Sequence, residues 1–164
     1  MGRGVVLVDL DDTLFYTSRA AVIRRRLPVP YDVARKLVPG EPIGDIAGLF
    51  AEAARKMRIG VLTNNSYAKS APRLSICGIS PDPFYHSDVL RFLKPDPRCF
   101  ESTDCVMYIG DDIIDMLAAT QAGIPFYAVL TGNTTRKQFE EEGLAPHRIM
   151  ADIHAWWRAA GREL

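Results

Sequence analysis

Five short apolar runs, each followed or preceded by a segment of helical character, are the feature that most limits the fold of this sequence. The runs span residues 5–10, 58–63, 105–110, 125–130 and, more weakly, 147–150. Helical patterns are predicted near residues 42–57, 67–77, 111–122, 134–142 and 152–160. Short runs rich in Val and Ile and bounded by Gly, Asn or Asp are typical of buried parallel strands. The alternation therefore predicts an α/β fold with a doubly wound parallel sheet.

The segment 18–39 departs from this alternation, because it lies between the first strand and the helix that precedes the second. It contains three prolines and the consecutive arginines Arg24, Arg25 and Arg26. We predict that it forms one or two short helices, inserted as a small cap or flap into a single core that spans residues 1–164. The arginines favour a solvated helix face, and the alternative is a rim that attracts phosphate near a site.

Composition excludes some classes of function. A chain of 164 residues suits one domain with its own core. The formal net charge is zero, which gives no support for a nucleic-acid partner. Its apolar runs are too short for a signal peptide or a membrane span. The three cysteines, Cys77, Cys99 and Cys105, lack the spacing of a metal site, so we predict reduced cysteines and a cytoplasmic protein.

Polar side chains follow the first three strands of the predicted sheet. In a parallel doubly wound sheet, ligands bind beyond the carboxyl ends of the strands. The residues expected at that edge are Asp9, Asp11, Asp12 and Thr13 after the first run, Thr63, Asn64, Asn65 and Ser66 after the second, Lys94 from a loop, and Asp111, Asp112 and Asp115 after the third. Each has an ordinary explanation alone, such as helix capping or turn formation. Their conjunction at one edge favours a functional site.

The carboxylates at this edge create an electrostatic problem. Asp9, Asp11 and Asp111 would raise one another's pKa values and cost folding free energy unless a cation lay among them. Mg²⁺ prefers oxygen ligands and is commonly held by one or two carboxylates together with a phosphate. Lys94, Thr63 and nearby backbone amides would complete a pocket for an anion. The sequence therefore predicts a site where Mg²⁺ and a phosphate meet.

Four segments resemble, in order, the signature motifs of the haloacid dehalogenase-like (HAD) superfamily. They are "VVLVDLDDTL" (5–14), "GVLTNNS" (60–66), "LKPDP" (93–97) and "YIGDDIIDMLAATQAGI" (108–124). The segment 128–157 is similar to the tail of the phosphoglycolate-phosphatase-like branch. The resemblance implies a Rossmann-like core with a small or absent cap.

The resemblance also implies catalytic roles. Asp9 would be the nucleophile that forms an aspartyl-phosphate, and Asp11 would be the general acid and then the general base. Thr13 would support the turn between the strand and the next segment. Thr63 and the backbone around Asn64 would hold phosphate oxygens.

The remaining implied roles concern charge and metal binding. Lys94 would offset the charge of the nucleophile and the phosphate. Mg²⁺ would be held by Asp9, the backbone carbonyl of Asp11, and Asp111. Asp115, or less favourably Asp112, would orient these ligands or reach the metal through water.

The implied function is a Mg²⁺-dependent phosphatase that hydrolyses a phosphate monoester. Its substrate would be a small phosphorylated metabolite or an exposed phosphate on a larger molecule. A phospho-receiver domain is one alternative, although receivers carry the phosphorylated Asp at a later strand end, and here the second run ends in Thr63 and Asn64. A catalytically silent homologue that acts as a binding or regulatory protein is another.

Two further predictions concern side chains outside this site. The histidines His86, His147 and His154 lack the spacing of metal ligands and are predicted to be structural. Trp156 and Trp157 favour packing in the core and at its edge over a binding platform, and a contact in a homodimer is a further alternative.

Overall fold

A computed structural model describes residues 4–17, Pro30, Val33 and residues 40–161. The predicted cap at 18–39, with Arg24, Arg25 and Arg26, lies outside the described residues apart from Pro30 and Val33. The cap and the role of its arginines therefore stay predictions.

Eight strands are formed by the described residues. In chain order they are β1 (Val5–Val8), β2 (Phe15–Tyr16), β3 (Glu41–Pro42), β4 (Arg58–Leu62), β5 (Phe84–Tyr85), β6 (Cys105–Gly110), β7 (Phe126–Val129) and β8 (Ile149–Met150). Six of them form one sheet in the order β5-β4-β1-β6-β7-β8, and every pair in it is parallel. The other two, β2 and β3, form a short antiparallel ribbon. The prediction of a parallel sheet is confirmed.

Within residues 40–161, five α-helices lie between or after these strands. They are α1 (Ile46–Ala53), α2 (Tyr67–Ile76), α3 (Ile113–Gln121), α4 (Arg136–Glu141) and α5 (Ile153–Ala159). Each corresponds to a helix predicted from the sequence, with ends that lie up to four residues inside the expected bounds. The strands β2, β3 and β5 were not predicted, because each has only two residues and lies outside the five apolar runs, whereas the equally short β8 lies within the run 147–150.

The alternation of side chains along β1 divides the core into two layers. Val6 and Val8 face one layer, which they share with Leu49 of α1 and Trp156 of α5. Val5 and Leu7 face the other, which they share with buried residues of α3 and α4: Met116, Ala118, Ala119 and Phe139. All four residues of β1 are at most 2% exposed, as expected for a central strand covered by helices on both faces. This arrangement is the doubly wound fold that the sequence predicts.

The tryptophans and cysteines have the surroundings expected of core residues. Trp156 and Trp157 are buried in the same layer, so packing, rather than a surface platform, is the role that the fold gives them. Cys77 and Cys99 are buried, Cys105 is half-buried, and all three are free thiols. Within the described residues, no helix has the length and apolar character needed to cross a bilayer.

Candidate active site

The polar residues predicted from the sequence meet at the carboxyl ends of three neighbouring strands. Asp9 follows β1, which lies between β4 and β6, and its backbone N–H donates to the carbonyl of Ile109 in β6 at 2.8 Å. Thr63 follows β4 and Asp111 follows β6. All three side chains are at most 7% exposed. The central position of β1 therefore places Asp9 in the middle of the site.

Three buried carboxylates form a cluster at this edge. Oxygen atoms of Asp9, Asp111 and Asp115 all lie within 4.8 Å of one another. The fourth member is Lys94, which is 6% exposed and whose Nζ lies 2.7 Å from Oδ1 of Asp9 and 2.5 Å from Oδ1 of Asp115. The predicted meeting of Asp9, Asp111 and Lys94 is thus present in the structure.

Tyr108 of β6 completes the hydrogen bonds of Lys94. Its hydroxyl oxygen accepts from Lys94 Nζ at 2.7 Å and its proton is donated to the carbonyl of Leu62, at 3.1 Å. The lysine ammonium has three protons, and Asp9, Asp115 and Tyr108 accept one each. Tyr108 was not among the predicted site residues, since a tyrosine in an apolar strand is usually a packing residue.

The pKa values in this cluster follow from burial and from neighbouring charges. Burial, opposed by Lys94 and reinforced by Asp115, raises the pKa of Asp9 to about 7. Burial and the nearby charges of Asp9 and Asp115 raise the pKa of Asp111 to about 9, although the hydrogen bond from the Thr13 hydroxyl acts to lower it. Burial disfavours the charged form of Lys94, but Asp115 and Asp9 outweigh it and raise its pKa. Three carboxylates and one ammonium leave an excess of two negative charges if all are ionised.

The turn after β1 is tied to both neighbouring loops. Thr13 is fully buried, and its hydroxyl donates to Oδ1 of Asp111 at 2.8 Å, which ties the turn to the loop after β6. Asp12 has a positive φ of 57° and accepts the backbone N–H of Thr17 at 2.5 Å, a turn that short acidic side chains tolerate.

The loop after β7 packs against this turn. The carbonyl of Asp12 accepts from the hydroxyl of Thr131, and a Cβ at Gly132 would overlap the carboxylate of Asp111. Glycine therefore allows the loop after β7 to pass over that carboxylate.

The structure places Asp115 and Asp112 differently, and Asp115 is the residue that the resemblance favoured of the two. Asp112 is the N-cap of α3, and its Oδ1 accepts the backbone N–H of Ile114 at 3.0 Å. Asp115 is 2% exposed; its Oδ1 contacts Lys94 and its Oδ2 accepts the backbone N–H of Asp112 at 3.1 Å. The side chain of Asp115 thus belongs to the cluster, whereas that of Asp112 begins the helix.

Asn64 connects the loop after β4 to the loop that carries Lys94. Its Nδ2 donates to the carbonyl of Lys94 at 2.8 Å, and its Oδ1 accepts the backbone N–H of Lys94 at 2.9 Å. The Asn64 side chain therefore holds the lysine loop, and the phosphate contact predicted for its backbone stays a prediction. The hydroxyl of Thr63 accepts the N–H of Asn65 at 3.2 Å, which leaves its own proton for another acceptor.

Asp11 is only half-buried and contacts Asn65, which was expected at this edge without a role, and Arg73, which was not predicted there. Its Oδ1 accepts from Nη1 of Arg73 and its Oδ2 accepts from Nδ2 of Asn65. Burial raises the pKa of Asp11, although Arg73 acts in the opposite direction. A sequence signal for Arg73 did exist, since it shares one face of α2 with the buried Ser70 and Leu74. An arginine on the buried face of a helix indicates an anionic partner.

The carboxylate cluster suits a hard divalent cation. Its ligand atoms are all carboxylate oxygens, the type that Mg²⁺ prefers. The raised pKa values of Asp9 and Asp111 show that these carboxylates lack sufficient positive charge from the protein alone. A dication would also match the excess of two negative charges. The residues present therefore fit a Mg²⁺ ion.

Comparison with known proteins supports the same family. Residues 80–156 match the family model described as HAD-hydrolase-like. No curated protein sequence matches the chain significantly.

Solved structures match over nearly the whole chain. CbbY from Rhodobacter sphaeroides, in complex with phosphate, aligns with a TM-score of 0.70 at 19% identity and covers 99% of this chain and 100% of that one. A hydrolase from Pseudomonas syringae aligns at 0.74 and 16% identity, over 95% and 97% of the two chains. The haloacid dehalogenase-like family protein SP0104 from Streptococcus pneumoniae aligns at 0.66 and 15% identity, over 86% and 91%. The resemblance to the HAD superfamily is therefore confirmed by the family model over residues 80–156, and the solved structures share the fold over almost the entire chain.

Proposed function

We propose that this protein is a Mg²⁺-dependent phosphatase that hydrolyses a phosphate monoester through an aspartyl-phosphate on Asp9. The observation that carries the proposal is the position of Asp9. Its carboxylate is buried at the end of the central strand, and Oδ1 is held by Lys94 beside two further carboxylates. This environment holds the carboxylate in one orientation beside a cation, as a nucleophile requires.

In the first step, Oδ2 of Asp9 attacks phosphorus while Lys94 holds Oδ1. A bond forms between Oδ2 and phosphorus, and the bond between phosphorus and the ester oxygen breaks. Asp11 donates its proton to that departing oxygen, so the product leaves as an alcohol. The positive charge of Lys94 and the hydroxyl of Thr63 would stabilise the phosphoryl oxygens.

In the second step, water attacks the aspartyl-phosphate. Asp11 now accepts a proton from the water, a new bond forms between the water oxygen and phosphorus, and the bond to Oδ2 of Asp9 breaks. Inorganic phosphate leaves, and both aspartates return to their initial states. The same residue thus serves as acid and then as base.

The proposed ligands of Mg²⁺ are the carboxylates of Asp9 and Asp111 and the backbone carbonyl of Asp11. When bound, the ion would neutralise these carboxylates and the negative phosphate oxygens. The Thr13 hydroxyl orients the carboxylate of Asp111, and Asp115 holds Lys94. These contacts fix the groups around the ion rather than contributing to bond breaking.

The substrate class that we propose is a phosphate monoester, on a small metabolite or exposed on a larger molecule. The solved structure of CbbY contains phosphate. The residues of this chain that are predicted to bind phosphate lie on a similar fold. The competing function is that of a silent or receiver-like protein that does not turn over substrate. Asp9, Asp11, Lys94 and Asp111 all lie at one edge of the sheet, which supports turnover instead.

The test is hydrolysis of p-nitrophenyl phosphate by the wild type and by Asp9→Asn, with Mg²⁺ and with EDTA. We expect activity that needs both Mg²⁺ and Asp9, with a loss of about 10³-fold or more in the variant. Asp104→Asn is the matched control, because Asp104 is exposed at the opposite end of β6. Turnover that persists in Asp9→Asn or in EDTA would overturn the proposal.

A further inference from the structure

Both oxygens of the Asp11 carboxylate are held by residues from the segment after β4. Arg73 of α2 donates to Oδ1, and Asn65 in the preceding loop donates to Oδ2. The side chain of Arg73 is only 11% exposed and that of Asp11 is 22% exposed. The pair is largely but not fully shielded from water, so the two hydrogen bonds restrict the Asp11 carboxylate more than an exposed ion pair would.

The chemistry of these two partners restricts what Asp11 can do. The Arg73 guanidinium and the Asn65 amide nitrogen are donors only, so neither can accept a proton from Asp11. A proton carried by Asp11 must therefore point toward an acceptor elsewhere. In the proposed mechanism that acceptor is the departing ester oxygen.

We propose that Arg73, together with Asn65, is a positioning residue that directs the carboxyl group of Asp11 toward the leaving group. The inference rests on the proposed function, because it gives Arg73 a role only through Asp11. A role in binding the phosphate itself would have a different signature, since it would weaken substrate binding for every ester. A role in stability alone would affect every ester equally.

The test compares two substrates that differ in their need for an acid. An alkyl phosphate such as glycerol phosphate needs protonation of its leaving oxygen, whereas 2,4-dinitrophenyl phosphate scarcely does. For Arg73→Met we expect the rate of leaving-group release in the first turnover to fall about 10-fold to 100-fold with the alkyl ester, with little change with the aryl ester and in KM. The first turnover is compared because the second step, in which Asp11 acts as base, is the same for both esters. Lys69→Met is the control, because Lys69 is exposed on the same helix.

A double-mutant cycle isolates the path through Asp11. If Arg73 acts only through that carboxyl group, Arg73→Met will cause no further loss in an Asp11→Asn background. Three outcomes would overturn the inference. They are equal losses on both esters, a rise in KM that accounts for the effect, and an additive loss in the double variant. Asn65→Ala provides a second variant in case Arg73→Met does not fold, and we expect the same substrate dependence with a smaller loss.

The failure of this inference is distinguishable from the failure of the proposed function. A wild-type enzyme that depends on Asp9, Asp11 and Mg²⁺, with an Arg73→Met variant that is unaffected on the alkyl ester, overturns only the role of Arg73. A folded wild-type protein with no Asp9-dependent turnover overturns the proposed function and the inference together.

Discussion

The side-chain nitrogen of Lys94 lies 2.7 Å from Oδ1 of Asp9, although the two residues are 85 positions apart in the sequence. The same nitrogen lies 2.5 Å from Oδ1 of Asp115, so one buried cation joins carboxylates that follow two different strands. Removing either partner of such a pair leaves an uncompensated buried charge. The cluster is therefore a stability element as well as a candidate catalytic one.

Replacing Lys94 by Met should destabilise the protein most where its carboxylate neighbours are ionised. We expect the free energy of unfolding in EDTA at pH 8 to fall by about 3–5 kcal/mol. The loss should be smaller at pH 5, where protonation of Asp9 and Asp111 removes part of the repulsion. Urea unfolding followed by circular dichroism measures the change, with Lys69→Met as an exposed control. A Lys94→Met variant as stable as the wild type at pH 8 would contradict the charge assignment.

Asp112 and Asp115 should respond differently to substitution. Asp112→Ala removes an N-cap, so we expect a loss of about 1 kcal/mol in the free energy of unfolding and nearly unchanged kcat. Asp115→Asn removes a charge that holds Lys94, so we expect kcat to fall about 100-fold. Steady-state kinetics and urea unfolding of the two variants test this contrast. Strong loss of activity in Asp112→Ala with retention in Asp115→Asn would reverse the assignment.

The metal-free protein should lose stability as the pH rises from 5 to 8.5. The pKa values of Asp9 and Asp111 are raised from 3.8 to about 7 and about 9 by burial and neighbouring charges. The folded state then binds more protons than the unfolded state above about pH 4, and the free energy of unfolding falls through this window. The raised pKa of Lys94 has no effect here, because that group stays protonated in both states below pH 9.

Differential scanning fluorimetry across this pH range, in EDTA and in 10 mM Mg²⁺, measures the effect. We expect Tm to fall with pH in EDTA and Mg²⁺ to raise it mainly at the alkaline end, where the carboxylates are ionised. A Tm that rises with pH in EDTA, or that responds to Mg²⁺ equally at pH 5 and pH 8.5, would count against the cluster as the metal site.

Tyr108→Phe tests the third hydrogen bond of Lys94. The variant keeps the aromatic ring in the core but removes the acceptor for Nζ and the donor to the carbonyl of Leu62. We expect the free energy of unfolding to fall by about 1–3 kcal/mol and kcat by about 10-fold. Tyr127→Phe, on neighbouring β7, is the matched control. If both variants behave like the wild type, the Tyr108 hydroxyl has no part in holding Lys94.

The parts of the site that could be predicted are those fixed by the strand pattern. Asp9 and Asp111 come directly after apolar runs, and parallel strands place their carboxyl ends at one edge, so their meeting follows from local sequence. The five predicted helices also follow from periodicity and capping residues. For these elements, local patterns and the final packing agree.

The residues that escaped prediction depend on contacts between distant segments. Arg73 meets Asp11 across 62 positions, and no strand or helix period indicates that pairing. The strand β5 has only two residues and exists because it pairs with Val61 and Leu62 of β4. The hydroxyl of Tyr108 has a role only because the folded chain places Lys94 beside it. Local propensity does not predict that contact.

The central position of β1 has a consequence for how the chain is made. Val5 pairs with Arg58, and Val6 pairs with Met107, so β1 is synthesised before two partners that lie about 50 and 100 residues later in the chain. At ordinary translation rates the second partner emerges roughly 5–20 s after the first strand. The apolar Val5–Val8 segment has neither of its final neighbours until β4 emerges, and it has only one of them until β6 emerges. We therefore expect the nascent chain to be a chaperone substrate, and a chain stopped before β6 to aggregate.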